Sequence, residues 1–107
     1  MAETLDRVEP KESAALADGL CRALLTPETP AEMARLLADL CTPAEIRSLA
    51  ERWQVVRLLD EGRLSYREIH DRTGVSTTTI VRVARFLRQE PHRGYRLALD
   101  RTAEAGR

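Results

Sequence analysis

Aromatic residues are scarce in this chain of 107 residues, which contains one tryptophan, one phenylalanine and two tyrosines. β-Branched residues are also sparse outside short runs, so the sequence holds few of the side chains that favour strands. A chain of this length supports one domain with one modest hydrophobic core. The composition therefore predicts an all-α domain.

Long hydrophobic runs are absent as well. No stretch approaches the roughly 18 apolar residues that a membrane-spanning helix needs, and the first residues show no signal-peptide pattern. These absences predict a soluble, cytoplasmic protein that has no membrane partner.

Cysteine and histidine occur only twice each. Cys21 and Cys41 lack metal-ligand spacing with His70 or His92 and lie among apolar residues, which predicts buried, reduced thiols, with a disulfide as the alternative. The histidines fall on different predicted elements, and no serine or cysteine lies in a nucleophile motif. No catalytic site, metal or cofactor is therefore predicted, and the protein is not expected to be an enzyme.

The net charge of the chain is zero, but the charges are unevenly distributed. Residues 1–62 carry seven basic and twelve acidic side chains, whereas residues 63–96 carry eight arginines against three acidic side chains. A basic segment attached to an acidic one is typical of a protein that binds an anionic partner with one face. So few positive charges would hold DNA weakly at physiological salt, which favours a dimer.

The basic segment contains LSYREIHDRTGVSTTTIVRVARFLR, residues 64–88. Ser65 and Glu68 have the spacing of a capping box at the start of one helix. Gly74 provides a turn residue that tolerates positive φ, and Ser76 can cap a second helix. Two capped helices separated by such a short turn form a helix-turn-helix.

The periodicity of this stretch separates a core face from an exposed face. The predicted core positions are Ile69, Val75, Ile80, Val83 and Leu87. The side chains left exposed on the second helix are Thr77, Thr78, Thr79, Val81, Arg82 and Arg85. Hydroxyl, methyl and guanidinium groups near a helix N-terminus are suited to phosphates and base edges, which predicts double-stranded DNA binding. The alternative is a helix pair used for packing or protein interaction, for which a docking face should have an apolar centre.

The rest of the chain divides around this motif. Residues 1–9 are predicted to be a flexible tail, residues 10–41 two amphipathic dimerisation helices, and residues 42–89 a long helix followed by the motif. Residues 91–107 are predicted to form a short final helix and a polar tail that begins at Thr102.

Proline and glycine mark the boundaries of these helices. Pro10 can open the first helix, Thr29-Pro30-Ala31-Glu32 combines a cap, a first-turn proline and a capping-box glutamate, and Thr42-Pro43-Ala44-Glu45 repeats that pattern. Gly62 should end the third helix, and Pro91 should stop the fifth.

The leucines of residues 10–41 present more apolar surface than a three-helix motif needs. We expect them to be buried in a second copy of the chain, which would place two recognition helices about 34 Å apart, one turn of DNA. The alternative is packing over the core of residues 43–89 of the same chain.

Residues 41–88 resemble, without a gap, the core of the Trp repressor superfamily. The shared residues are Thr42-Pro43-x-Glu45, Leu49, Arg52, Gly62, Ser65-x-Arg67-Glu68, Gly74 and Thr79-Ile80-x-Arg82. The ending, with Gly94-Tyr95-Arg96 and Leu99-Asp100-Arg101, is most similar to the YerC/YecD-type members of that superfamily. The resemblance implies a six-helix all-α fold, an intertwined homodimer and a repressor-like role at a DNA operator.

The resemblance also implies positions for the DNA contacts. In the first motif helix these are Tyr66, Arg67 and His70, and in the second they are Thr77, Thr78, Thr79 and Val81. For His70, the alternative is a half-exposed helix residue without a role.

The tryptophan site of the family matches here at Thr42, Arg52 and Arg82. The positions that leave space for the indole are occupied here by Val83 and Phe86, which should fill that volume. We therefore expect a degenerate pocket that needs no corepressor. The alternative is a repressor that responds to an unidentified small ligand.

Two further expectations concern neighbouring residues. The two arginines, Arg52 and Arg82, would become structural by pairing with Glu45, Glu51 or Asp60. Trp53 lies at helical spacing among aliphatic residues and is expected in the core, with stacking on a ligand as the alternative.

Overall fold

The computed structural model describes residues 10–105, so the predicted tail at residues 1–9 lies outside the described residues. The described chain contains six helices and no strand, which confirms the all-α prediction. The helices are α1 (Pro10–Leu24), α2 (Pro30–Leu40), α3 (Pro43–Glu61), α4 (Tyr66–Thr73), α5 (Thr77–Arg88) and α6 (Gly94–Ala105). None of them is long and apolar enough to cross a membrane.

The chain forms two compact units, one ending at Pro43 and the other beginning at Ala44. In the first unit, the Thr29 hydroxyl caps α2 by accepting the Glu32 N–H at 3.1 Å. The Glu32 carboxylate accepts the N–H of Glu28 at 2.8 Å, so the capping box expected with Thr29 is replaced by a bond one residue earlier. Neither α1 nor α2 contains a buried side chain.

The expectation of two buried thiols is wrong for the chain as described. Cys21 and Cys41 are both free, but Cys21 is exposed and Cys41 is half-buried. Cys21 lies on α1, whose apolar stripe is left uncovered, and this explains the difference from the prediction.

The hydrophobic core lies in the second unit. All five core positions predicted in the motif are buried there, and α3 adds Val55, Val56 and Leu59. Trp53 is half-buried and packs against this core, as expected of a core residue at its margin. The core therefore joins α3 to α4 and α5, the two helices of the predicted motif.

The connection between α4 and α5 is three residues long. At the start of α4, the Ser65 hydroxyl accepts the Glu68 N–H at 3.1 Å, and the Glu68 carboxylate accepts the Ser65 N–H at 2.9 Å, which completes the predicted capping box. Gly74 ends α4 with a left-handed φ of 76°. Ser76 then caps α5 by accepting the Thr79 N–H at 3.2 Å.

The final helix is longer than the sequence suggested. α6 continues to Ala105, so the prediction of a polar tail from Thr102 is wrong for the described residues. The Thr102 hydroxyl donates to the Ala98 carbonyl at 2.8 Å, and this bond keeps a polar residue inside the helix. Arg96 of α6 binds Asp60 of α3 at 3.0 Å, which ties the two helices together.

We predict that Gly74→Ala lowers the free energy of unfolding by about 1 kcal/mol, because an L side chain is strained at this left-handed φ. Gly94→Ala is the matched control, since Gly94 lacks a positive φ and a Cβ at either glycine meets no atom within 4 Å. Urea denaturation of both variants measures the difference, and equal stability of the two would contradict the backbone explanation.

The capping box should also make stability depend on pH. Hydrogen bonding to the Ser65 backbone holds the pKa of Glu68 below its ordinary value of 4.5. Because the folded pKa is lower than the unfolded one, this stabilisation is complete above about pH 4.5 and is lost as the pH falls through the folded pKa. In Glu68→Gln, the free energy of unfolding should therefore decline less on acidification than in the unaltered protein. Parallel denaturation curves across this range would contradict the prediction.

Candidate nucleic-acid interface

The N-terminal end of α5 carries the first part of the predicted interface. Thr77 and Thr78 are exposed, and no acidic residue lies in the first turn of α5. The free N–H groups of that turn therefore keep their partial positive charge. Thr79 differs from the prediction because it is half-buried, and its hydroxyl accepts a hydrogen bond from the Ser76 hydroxyl at 3.0 Å. Thr79 thus belongs to the cap rather than to the open face.

One helical turn further along α5, Val81, Arg82 and Arg85 continue this face. Val81 is 55% exposed. The guanidinium carbon of Arg82 lies 4.3 Å from the centroid of the Phe86 ring, and that of Arg85 lies 5.1 Å from it. Phe86 is thus a platform that orients both arginines, because cations are attracted to the face of an aromatic ring.

Helix α4 contributes exposed side chains at its start. Tyr66 and Arg67 are the first two residues of the helix and are both exposed. The Tyr66 hydroxyl lies 3.5 Å from Nη1 of Arg88, at the other end of α5. The structure thus brings the first residues of α4 beside a guanidinium group of α5.

His70 has a role in the turn that the sequence pattern does not show. Its Nδ1 lies 2.7 Å from the carbonyl oxygen of Val75. A carbonyl only accepts, so Nδ1 carries the hydrogen, and Nε2 is left for another partner. The Thr73 hydroxyl adds a second link by donating to the Ile69 carbonyl and accepting the Val75 N–H. These bonds cross the turn, where helical periodicity gives no signal.

The residues of the predicted degenerate pocket differ in their burial and in their contacts. Val83 is 1% exposed and belongs to the core. Phe86 is half-buried, with its ring nearly parallel to the His92 imidazole at a centroid distance of 6.1 Å. Thr42 precedes α3, and Arg52 lies half-buried on that helix. Of the two residues expected to fill the pocket, Phe86 contacts the guanidinium of Arg82, and Val83 lies in the core.

One of the acidic residues expected to pair with Arg52 or Arg82 pairs with a different arginine. Asp60 forms its ion pair with Arg96 at 3.0 Å. Arg82 is held by the Phe86 ring, its neighbour one helical turn away. The spacing of Arg82 and Phe86 is visible in the sequence and could have predicted this contact.

No group of three or more histidine, cysteine, aspartate or glutamate side chains that could hold a metal ion occurs in the part of the chain that the structure describes. The candidate interface is instead made of hydroxyl groups, guanidinium groups and helix-terminal amides.

Comparison with known proteins shows the family to which the chain is related. The family model for the Trp repressor protein matches residues 15–103. The uncharacterized protein YerC of Bacillus subtilis (strain 168) is 41% identical over 100 residues, which span 94% of this chain and 90% of that protein.

Two solved structures share the fold. The crystal structure of a protein from Staphylococcus aureus superposes with a TM-score of 0.77 at 39% identity, over 83% of this chain and 87% of that protein's chain. The crystal structure of a TrpR-like protein from Eubacterium eligens ATCC 27750 superposes with a TM-score of 0.76 at 35% identity, over 83% of this chain and 90% of that one. The six helices, the matched residues and these relatives together show that the chain belongs to the Trp repressor family.

Proposed function

We propose that this protein is a transcriptional regulator that binds double-stranded DNA sequence-specifically, in the cytoplasm, through a helix-turn-helix made by α4 and α5. The observation that carries this proposal is the end of α5, where Thr77, Thr78 and Arg82 are exposed among the residues that the structure describes. Membership of the Trp repressor family supports a DNA-binding regulator.

In this proposal, α5 enters the major groove with its N-terminal end. The hydroxyls of Thr77 and Thr78 would contact base edges or phosphates, Val81 would contact a thymine methyl, and Arg82 would reach a guanine or a phosphate. The Phe86 platform supports this role, because it holds the guanidinium of Arg82 in one orientation before DNA arrives. Preorganisation lowers the entropic cost of binding.

Helix α4 would hold the protein against the DNA backbone. Arg67 and Tyr66 lie in its first turn, and both side chains are exposed. The hydrogen bond from His70 Nδ1 to the Val75 carbonyl would fix the position of the imidazole within this contact surface. These contacts would set the position of the protein, while α5 reads the sequence.

We further propose that the protein acts as a homodimer formed through residues 10–41. Both α1 and α2 have an apolar stripe, yet neither contains a buried side chain. Leu16 is 65% exposed, Leu25 83% and Leu40 50%. Apolar surface on two successive helices favours a partner subunit. Two copies would also double the number of phosphate contacts, which a chain with no net charge requires.

The regulator is proposed to work without tryptophan as its corepressor. In the site that the family resemblance assigns to tryptophan, the side chain beside Arg82 is Phe86, whose ring already lies under the guanidinium. An internal aromatic ring would thus replace the ligand's ring in holding the arginine. The motif would then be competent for DNA in one arrangement, independently of the amino acid.

We predict that Arg82→Ala weakens binding to a duplex selected from genomic fragments by about 1–3 kcal/mol if Arg82 contacts a base, and by less if it contacts phosphate. Arg101→Ala is the matched control, because Arg101 is an exposed arginine of α6 outside the proposed interface. Fluorescence anisotropy at fixed salt measures both affinities. Equal losses in the two variants would mean that only overall charge matters and would contradict a specific role for Arg82.

We predict that calorimetric titration with L-tryptophan gives no binding heat, because the Phe86 ring fills the space beside Arg82. Phe86→Ala is the comparison variant, since it removes the aromatic ring and keeps Arg52 and Arg82, the two arginines of the predicted pocket. Heat that saturates at micromolar tryptophan in the unaltered protein would refute the filled pocket.

A further inference from the structure

A cleft of about 280 Å³ lies where the C-terminal ends of α3 and α5 meet the start of α6. It is lined by Leu59, Asp60, Leu87, Arg88, Arg93 and Arg96, and we call it the arginine cleft. Three of its six lining residues are cationic and one is anionic, so its wall carries a net positive charge. The proposed α5 interface does not use these arginines.

Arg96 is the most firmly held of the three arginines. Its Nη1 donates to an oxygen of Asp60 at 3.0 Å. Its Nε lies 3.2 Å from an oxygen of Asp100 but is not aligned for a hydrogen bond, so this buried donor lacks a hydrogen-bond partner among the described residues. Arg96 therefore contributes a guanidinium that two carboxylates hold in place at the wall of the cleft.

Arg88 is positioned by two long hydrogen bonds. Its Nη2 donates to the Leu59 carbonyl at 3.3 Å, and its Nη1 donates to the Tyr66 hydroxyl at 3.5 Å. A guanidinium has five donors, so these two bonds orient the group without exhausting it. The contact with Tyr66 also places the arginine cleft next to the first turn of α4.

Arg93, the third arginine of the cleft, has an unusual backbone conformation. It has a φ of 55°, and it is the one non-glycine residue with positive φ among those the structure describes. Its exposed side chain has neither a hydrogen bond nor an ion pair within residues 10–105. Sparsely populated backbone conformations cluster at functional sites, and this one carries a guanidinium without a partner among the described residues.

We propose that the arginine cleft binds a phosphate group, carried either by the DNA backbone beside α4 or by a free phosphorylated molecule. A phosphate offers several acceptor oxygens, and guanidinium groups match them with paired N–H donors. Arg93 would supply an unpaired charge, Arg88 its remaining donors, and the first-turn amides of α6 a further partial positive charge. Asp60 is already engaged by Arg96, which reduces its repulsion of an incoming anion.

The first experiment titrates the full chain with inorganic phosphate and follows the Nε–Hε signals of its arginines by NMR. We expect saturable shifts for arginines of the cleft, and Arg93→Gln should weaken phosphate binding about tenfold, as expected for a lost charged hydrogen bond. Arg101→Gln removes the same charge elsewhere on the surface and should leave the titration unchanged. Arg93→Gly repeats the test with a residue that accepts positive φ.

The second experiment identifies the source of the phosphate and rests on the proposed DNA-binding function. If the source is DNA, Arg93→Gln should weaken duplex binding and reduce the slope of log affinity against log salt by about 1, whereas Arg101→Gln should not. If the source is a free molecule, Arg93→Gln should weaken phosphate binding by the same factor of about ten and leave duplex affinity unchanged.

The outcomes separate the two proposals. An unaltered chain that binds no duplex but shows saturable phosphate shifts would refute the DNA-binding function and retain the arginine cleft. Absence of saturable shifts, together with equal duplex affinity of Arg93→Gln and Arg101→Gln, would overturn the cleft proposal alone.

Discussion

The structure of the second unit depends on the tight joint between α4 and α5. Ile69 and Val75, on either side of the turn, are buried with Ile80 against α3, and the left-handed Gly74 allows the chain to reverse within three residues. The bond from His70 to the Val75 carbonyl closes the same turn from the other side. Because this joint fixes α5 against the core, Thr77, Thr78 and Arg82 of α5 remain exposed.

The family fold is combined here with an internal aromatic contact on α5. In the sequence, Phe86 occupies a position that the family resemblance associates with space for an indole ring. In the structure, that ring lies 4.3 Å below the guanidinium carbon of Arg82 and also contacts Arg85. The proposal of a regulator without tryptophan follows from this one contact. Because the Phe86 ring belongs to the helix itself, Arg82 can be held without an aromatic ligand bound from solution.

Local signals in the sequence predicted most of the helix ends. The Ser65–Glu68 capping box, the Gly74 end of α4 and the Ser76 cap of α5 all depend on contacts within four residues. Each was placed correctly because such contacts need no tertiary context. Two of the errors involve tertiary contacts. The exposure of Cys21 and the partner of Asp60 depend on what lies across from each residue, which spacing does not encode. The length of α6 was missed because Thr102 looks like a tail residue until its hydroxyl finds a carbonyl within the helix.

The most direct test of the whole account is to let the unaltered protein select fragments from genomic DNA and to align the fragments that it retains. A dimer that presents two α5 helices should enrich an inverted repeat whose half-sites are about one helical turn apart, roughly 34 Å. If no sequence is enriched, even at low salt where phosphate contacts are strongest, α5 does not read DNA and a protein-interaction role for this face becomes the better explanation.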